Sequence, residues 1–282
     1  MINTAILSWV TFVYLAAFVF YFIGTIRGSD IWGRIASITA YAGLAAHTVA
    51  LVLRWIESYQ MGIGHAPLSN FYESLIFFSW TLVLLYLVFE WRIRNKILGA
   101  FVVPVAFLAM AFASLSPSIS DRIQPLVPAL QSNWLTSHVM TCFMGYAAFT
   151  IACGLGCMYL VKSLDRGQEN RSRAFLRFLP DTDTLDDLIY QSAALGFVFL
   201  SLGIITGSVW AYYAWGSYWS WDPKETWSLI TWLVYAAMLH ARLVRGWRGK
   251  RIAIISIIGL ACVLFTYLGV NYLPGLHTYL ND

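Results

Sequence analysis

Eight apolar stretches, each long enough to cross the roughly 30 Å hydrocarbon core of a bilayer as a helix, constrain this chain more than any other feature. They cover residues 4–25, 36–56, 71–89, 97–115, 135–161, 189–212, 223–244 and 252–270. Only 11% of the 282 residues are charged and 59% are hydrophobic. A soluble domain carries about 25% charged residues, so this chain cannot cover a water-facing surface. In lipid every backbone N–H and C=O must be paired within its own segment, which selects helices. The expected fold is all-α, a polytopic integral membrane helical bundle of about eight transmembrane helices. It forms a single transmembrane domain over residues 1–282, with no separate soluble domain and no internal repeat.

The basic residues predict the orientation. All but Arg54, Arg122 and Lys224 of the 18 Lys and Arg fall after helices 1, 3, 5 and 7. Cytoplasmic loops collect Lys and Arg, so these loops are expected inside and both termini in the extracytoplasmic space. The +4 net charge then reports topology, not affinity for nucleic acid. The first apolar run has no basic residue before it and no A-x-A-like cleavage site, unlike a secretory signal. Cys142, Cys153, Cys157 and Cys262 lie in apolar stretches, and none forms the C-x-x-C-H pattern of covalent haem attachment. Cys153 and Cys157 share a helix face and read as small packed residues.

The segment 215–225 reads WGSYWSWDPKE. Trp215, Gly216, Tyr218, Trp219 and Trp221 crowd one outer loop, within an aromatic region spanning 210–227. Flat indole faces at this density suit stacking against a large planar ligand, each aromatic pair gaining about 0.5–1.5 kcal/mol beyond burial. A heavy interfacial belt is the alternative, because Trp and Tyr also collect at membrane surfaces. Asp222, Pro223 and Glu225 fit the N-cap, first and third positions of a helix, a start signal compatible with a role in orienting a ligand.

His138 begins helix 5 and His277 follows helix 8, both on the outer side at the level of this loop; His65, in GHAPLSN, is a third outer histidine. Singly, each suits a membrane interface. Together they suit haem iron, which proteins hold with axial imidazoles. His47 and His240 lie inside apolar helices, where an ionisable residue is costly and marks a functional candidate. His240 is two residues from Arg242 and is open to an interfacial reading. A depth count at about 1.5 Å per residue sets His47 nearer the outer side and His240 nearer the inner.

WGSYWSWDPKE resembles the tryptophan-rich WWD motif of haem-handling proteins in cytochrome c maturation. His138 before it and His277 after it match that family's two external histidines. Eight helices, the stretch GHAPLSNFYESLIFFSW and intramembrane His47 and His240 resemble the CcsA, or ResC, group of the System II pathway, over nearly the whole chain.

The resemblance implies a relay. Haem, b-type, non-covalent and held by two histidines, enters a membrane site at His47 and His240. It passes to an outer site at His138 and His277, cradled by Trp215, Gly216, Tyr218, Trp219, Trp221, Asp222 and Glu225. There it meets the two thiols of an apocytochrome c C-x-x-C-H motif. It implies a subunit of a holocytochrome c synthase with a CcsB/ResB-type partner, in a bacterial cytoplasmic membrane or a thylakoid. No residue is marked as acid or base for the thiol addition; positioning is the expected contribution. The family assigns no ligand role to the position of His65. Three alternatives stay open: a CcmC-like handler passing haem to a chaperone, a b-type electron-transfer protein, and a transporter of a non-haem solute.

Overall fold

Lipid-soluble segments with few charges fold into helices wherever their backbone bonds close internally, and every long apolar run here does so. A computed structural model describes residues 2–117, 119–126, 130–164 and 178–273. Eight α-helices follow in order: α1 (Ile2–Arg27), α2 (Asp30–Gln60), α3 (Phe71–Ile93), α4 (Gly99–Leu115), α5 (Asn133–Ser163), α6 (Thr182–Trp215), α7 (Pro223–Arg245) and α8 (Lys250–Tyr267). A 3₁₀ turn, Gly269–Tyr272, follows α8. Seven of the described helices are long and apolar enough to cross a membrane; α4, with 17 residues, is the short one. The expected polytopic helical bundle is what forms. Helices α2 and α6 run past their apolar cores at both ends, into polar turns that lie beyond the hydrophobic stretch.

The chain divides into two compact units, Met1–Leu126 with Val161–Asp181, and Val127–Leu160 with Thr182–Asp282. In the first unit α1 packs on α2 and α4, and α3 on α2 and α4. Two buried polar clusters tie these helices. Glu90 of α3 accepts hydrogen bonds from the hydroxyls of Tyr21 (2.6 Å), Tyr86 and Ser37, joining α1, α2 and α3. At the other end of α3, Glu73 pairs with fully buried Arg54 of α2 at 2.8 Å. Arg54 also donates to the Asp121 carbonyl, and the Tyr72 ring lies 5.2 Å from its guanidinium. Arg54 is thus an internally neutralised charge, unlike a loop cation. Removing one partner of such a pair costs about 3–5 kcal/mol, since the other charge stays buried.

The stretch GHAPLSNFYES is a stapled connection. Asn70 caps α3 by accepting from Glu73 N, and Glu73 in turn accepts from Ser69 N and Oγ.

In the second unit α7 packs on α8 and α6. Helix α5 is the most buried. A Cβ on its Gly145 would lie 3.1 Å from Leu200 N of α6, and one on Gly156 3.0 Å from the Ala253 carbonyl of α8. Small residues let helix backbones approach where lipid supplies no hydrophobic drive between them. Phe149 of α5 stacks on Tyr235 of α7 at 3.5 Å and 9°. Arg242 of α7 bonds Asp186 and Asp187 of α6, and Asp186 also accepts from Gly249 N ahead of α8.

Candidate functional site

His138 stands in the first turns of α5 against α6. Its Nδ1 lies 2.7 Å from the Gly203 carbonyl, a group that only accepts. Nδ1 therefore carries the proton, and in a neutral ring Nε2 holds the lone pair. The ring has room because α6 offers glycines: a Cβ on Gly207 would sit 2.5 Å from His138 Nδ1, and one on Gly203 2.6 Å from Cys142 Sγ. Buried Trp210 lies nearly parallel to the imidazole, with centroids 6.2 Å apart at 15°. An imidazole anchored through Nδ1 with Nε2 left for metal is the usual second-shell arrangement of a histidine ligand.

Trp210 also leads into the aromatic segment, meeting Trp215 edge-on at 4.8 Å. Helix α6 ends there, where Gly216 takes φ +78° and its N–H caps the Tyr212 carbonyl. Tyr218 folds back to stack on Tyr212 (4.4 Å, 11°), and its carbonyl accepts from Ser208. Trp219 meets Trp221 edge to face at 5.7 Å, and the Trp219 indole N–H is buried with no acceptor. Trp221 has φ +60°, one of two non-glycine residues with positive φ among those described. For a bulky residue this conformation costs on the order of 1–2 kcal/mol and survives only where the surroundings impose it. Yet its side chain is 68% exposed, and Tyr218 is 55% exposed. The segment spends backbone strain to hold aromatic faces outward.

The α7 start holds Trp221 in place. Asp222 accepts from Lys224 N, while Glu225 accepts from Asp222 N and Ser220 N, a complete capping box with Pro223 at the first position. The roles expected for Asp222 and Glu225 as helix-start residues are those observed. Thr226 Oγ1 donates to the Trp221 carbonyl at 3.2 Å, and Lys224 Nζ donates to Asn271 at 3.1 Å.

His47, in the first unit, is wholly buried. Its Nδ1 lies 3.1 Å from the Tyr14 hydroxyl of α1, and its Nε2 has no hydrogen-bond partner. A buried polar atom left unpaired costs on the order of 1–3 kcal/mol, and a ligand would relieve it. His240, in the second unit, is exposed on α7. His65 is buried with both ring nitrogens at 2.9 Å from backbone carbonyls, those of Ala66 and Gln124. A carbonyl closes off each nitrogen, and the ring N–H donates to one of them, so His65 is tied to backbone and presents no open face to iron. His277 lies outside the described residues.

These surroundings fit haem at two points: His47 Nε2 is orphaned, and His138 Nε2 is freed by an anchored Nδ1. Among the described residues no group of three His, Cys, Asp or Glu stands close enough to hold a bare metal ion. An axial ligand to a macrocycle needs no such group. Sequence reasoning missed Gly203, Gly207, Trp210 as a partner of His138, and Tyr14. The signal for the first two was present as GIITG, a small-x-x-x-small pattern. Nothing in one sequence signals the Tyr14 contact across two helices.

The sequence matches the family described as Cytochrome C assembly protein over residues 68–277. That span includes His138, the aromatic segment, His240 and His277 but not His47. The cytochrome c biogenesis protein CcsA of Chlorella vulgaris is 42% identical over 272 residues, covering 86% of this chain and 85% of its own. CcsA of Guillardia theta is 43% identical, covering 84% and 83%. CcsA of Prochlorococcus marinus is 43% identical, covering 82% and 79%. The solved structure of the cytochrome c haem lyase CcmF superposes with a TM-score of 0.71 at 16% identity, spanning 94% of this chain and 46% of that one. At such identity the likeness is one of fold, and this chain spans less than half of CcmF.

Proposed function

The chain belongs to the cytochrome c assembly family as a CcsA-type protein of cytochrome c biogenesis, and from that membership we propose that it carries haem across the membrane and presents it to apocytochrome c. The observation that carries this reading is the seat of His138: an imidazole anchored through Nδ1 to Gly203, alongside Trp210 and the outward-held aromatic segment. Haem is the cargo. His138 and His277 hold its iron at an outer site, non-covalently and as b-type haem, with the faces of Trp215, Tyr218, Trp219 and Trp221 against the ring. Gly216 allows the turn after α6, and Asp222 and Glu225 fix where α7 starts. The unpaired Trp219 indole N–H is a donor suited to a carboxylate of the haem periphery. Upstream, His47 and His240 hold the iron within the membrane. Two imidazoles leave no open position for oxygen chemistry.

At the outer site each thiol of a C-x-x-C-H motif adds across one vinyl double bond. Sulfur bonds one carbon and the proton goes to the other. The protein's part in this step is positioning. The chain acts as the CcsA-type subunit of a cytochrome c synthase, with a CcsB/ResB-type membrane protein as partner. The Lys- and Arg-rich loops face the cytoplasm and both termini the opposite side, in a bacterial cytoplasmic membrane or a thylakoid.

The test begins with the absorption spectrum of the purified protein, expected to show a Soret band. His138→Ala and His277→Ala should abolish holocytochrome formation. His47→Gly and His240→Gly should lower bound haem, with partial restoration by free imidazole. A protein with no Soret band is a transporter of another solute. One that keeps its haem in the presence of reduced apocytochrome c is an electron carrier, and either result overturns the reading.

A further inference from the structure

Tyr14 and His47 are both fully buried, on neighbouring helices α1 and α2, with the hydroxyl 3.1 Å from Nδ1 and the rings 5.9 Å apart at 49°. The contact exists because α2 has a glycine one turn before His47. A Cβ on Gly43 would lie 2.8 Å from Tyr14 Cε1 and 3.1 Å from Cδ1. Any larger residue there pushes the phenol ring away. The local packing thus admits one hydrogen bond to one imidazole nitrogen and leaves the other nitrogen buried and unpaired.

A hydroxyl beside Nδ1 can donate or accept. If it donates, Nε2 keeps its proton and faces an apolar surrounding with nothing to give it to. If it accepts, Nδ1 keeps the proton and Nε2 presents a lone pair. Only the second arrangement makes a ligand, because metals bind the unprotonated nitrogen of a neutral imidazole. The partner of the non-ligating nitrogen fixes both tautomer and ring orientation, and raises the basicity of the ligand.

We propose that Tyr14 is the positioning residue of the membrane site, its oxygen accepting from His47 Nδ1–H so that the Nε2 lone pair is turned to haem iron, with Gly43 providing the room for its ring. The inference rests on the reading of His47 as a ligand, and it assigns to α1 a part in a site that the sequence placed on α2 and α7. Tyr14 touches no iron itself. It acts through His47.

The experiment uses the full chain carrying His138→Ala, so that bound haem reports the membrane site, and adds Tyr14→Phe, Gly43→Ala or His47→Gly. Each purified variant is titrated with hemin and followed at the Soret band, and its midpoint potential is measured. Loss of a second-shell partner weakens metal binding about 10–100-fold, so Tyr14→Phe and Gly43→Ala should each raise the hemin Kd by that factor. A less basic imidazole stabilises ferric iron less, so the midpoint should rise in both. In His47→Gly, the free imidazole needed for half-maximal rescue should rise when Tyr14→Phe is added, because the diffusible ring also loses its acceptor. A merely structural clip between α1 and α2 would move thermal stability and leave the potential and the imidazole requirement alone. That result, with haem lost from His47→Gly, overturns the role of Tyr14 while sparing His47. Full hemin loading of His47→Gly overturns the ligand reading and this inference with it. Should Tyr14→Phe fail to accumulate, Gly43→Ala reads the same displacement with the phenol retained.

Discussion

Replacing Gly207 by Ala sets two effects against each other, and the structure says which governs haem. In the interior of α6 alanine is intrinsically better than glycine by up to about 1 kcal/mol. The new Cβ, however, would lie 2.5 Å from His138 Nδ1, whereas ordinary contact begins at 3.4 Å. The imidazole must therefore retreat by roughly 1 Å to regain van der Waals separation. Its 2.7 Å bond to the Gly203 carbonyl is then stretched, to as much as about 3.7 Å when the ring moves directly away from that oxygen, beyond any useful hydrogen bond. Losing that anchor is expected to cost 10–100-fold in haem affinity, or about 1.4–2.7 kcal/mol. The helix itself should be no less stable. The assay is the rate of haem transfer from purified protein to an apo-globin acceptor, alongside a thermal melt of the haem-free form. Gly196→Ala supplies a matched control: its Cβ would also come within 2.5 Å of a ring, that of Phe149. It should lower the melt and spare the transfer rate. A Gly207→Ala protein that releases haem at the parental rate refutes the argument that this glycine seats the ligand.

Trp221→Gly should fold as well as the parent or better, since glycine adopts φ +60° without penalty. It should bind haem about fivefold more weakly, the loss of roughly 1 kcal/mol of aromatic stacking, read by hemin titration. Asp222→Ala removes the N-cap acceptor of Lys224 N and should cost about 1 kcal/mol, seen as faster amide exchange over residues 224–226. In a background without the four native cysteines, Ser217→Cys and Arg248→Cys should react with an impermeant thiol reagent from opposite sides of the membrane. Labelling from one side would overturn the orientation assigned to α7.

The helices are legible in the sequence because hydropathy and backbone pairing demand the same thing in lipid. The apolar core of α2 shows at residues 36–56, but its polar ends at Asp30 and Gln60 do not, since water-exposed turns carry no hydropathic signature. The capping box at Asp222 was legible for the opposite reason: its spacing is local. The seat of His138 was half legible. The histidine and the tryptophans stood out, while Gly203 and Gly207 looked like packing. Tyr14 is one of several tyrosines in apolar helices, and only the packing of α1 on α2 singles it out. His65 shows the reverse case, a conspicuous residue whose two nitrogens are each closed off by a backbone carbonyl.

The buried pair of Arg54 and Glu73 has a consequence for how this protein enters the membrane. A lone arginine in a spanning helix opposes insertion by up to about 3 kcal/mol at the bilayer centre, and by less toward either end. Helix α2 carries its arginine one turn and a half before it finishes, and α3 brings the matching carboxylate in its first turn. The short connection between them, tied by Ser69, Asn70 and His65, holds the two charges together in the folded pair. The Arg54–Glu73 pair offsets the insertion cost of Arg54 only once α3 is in place, so α2 should integrate more completely when α3 follows it in the chain than when it is expressed alone.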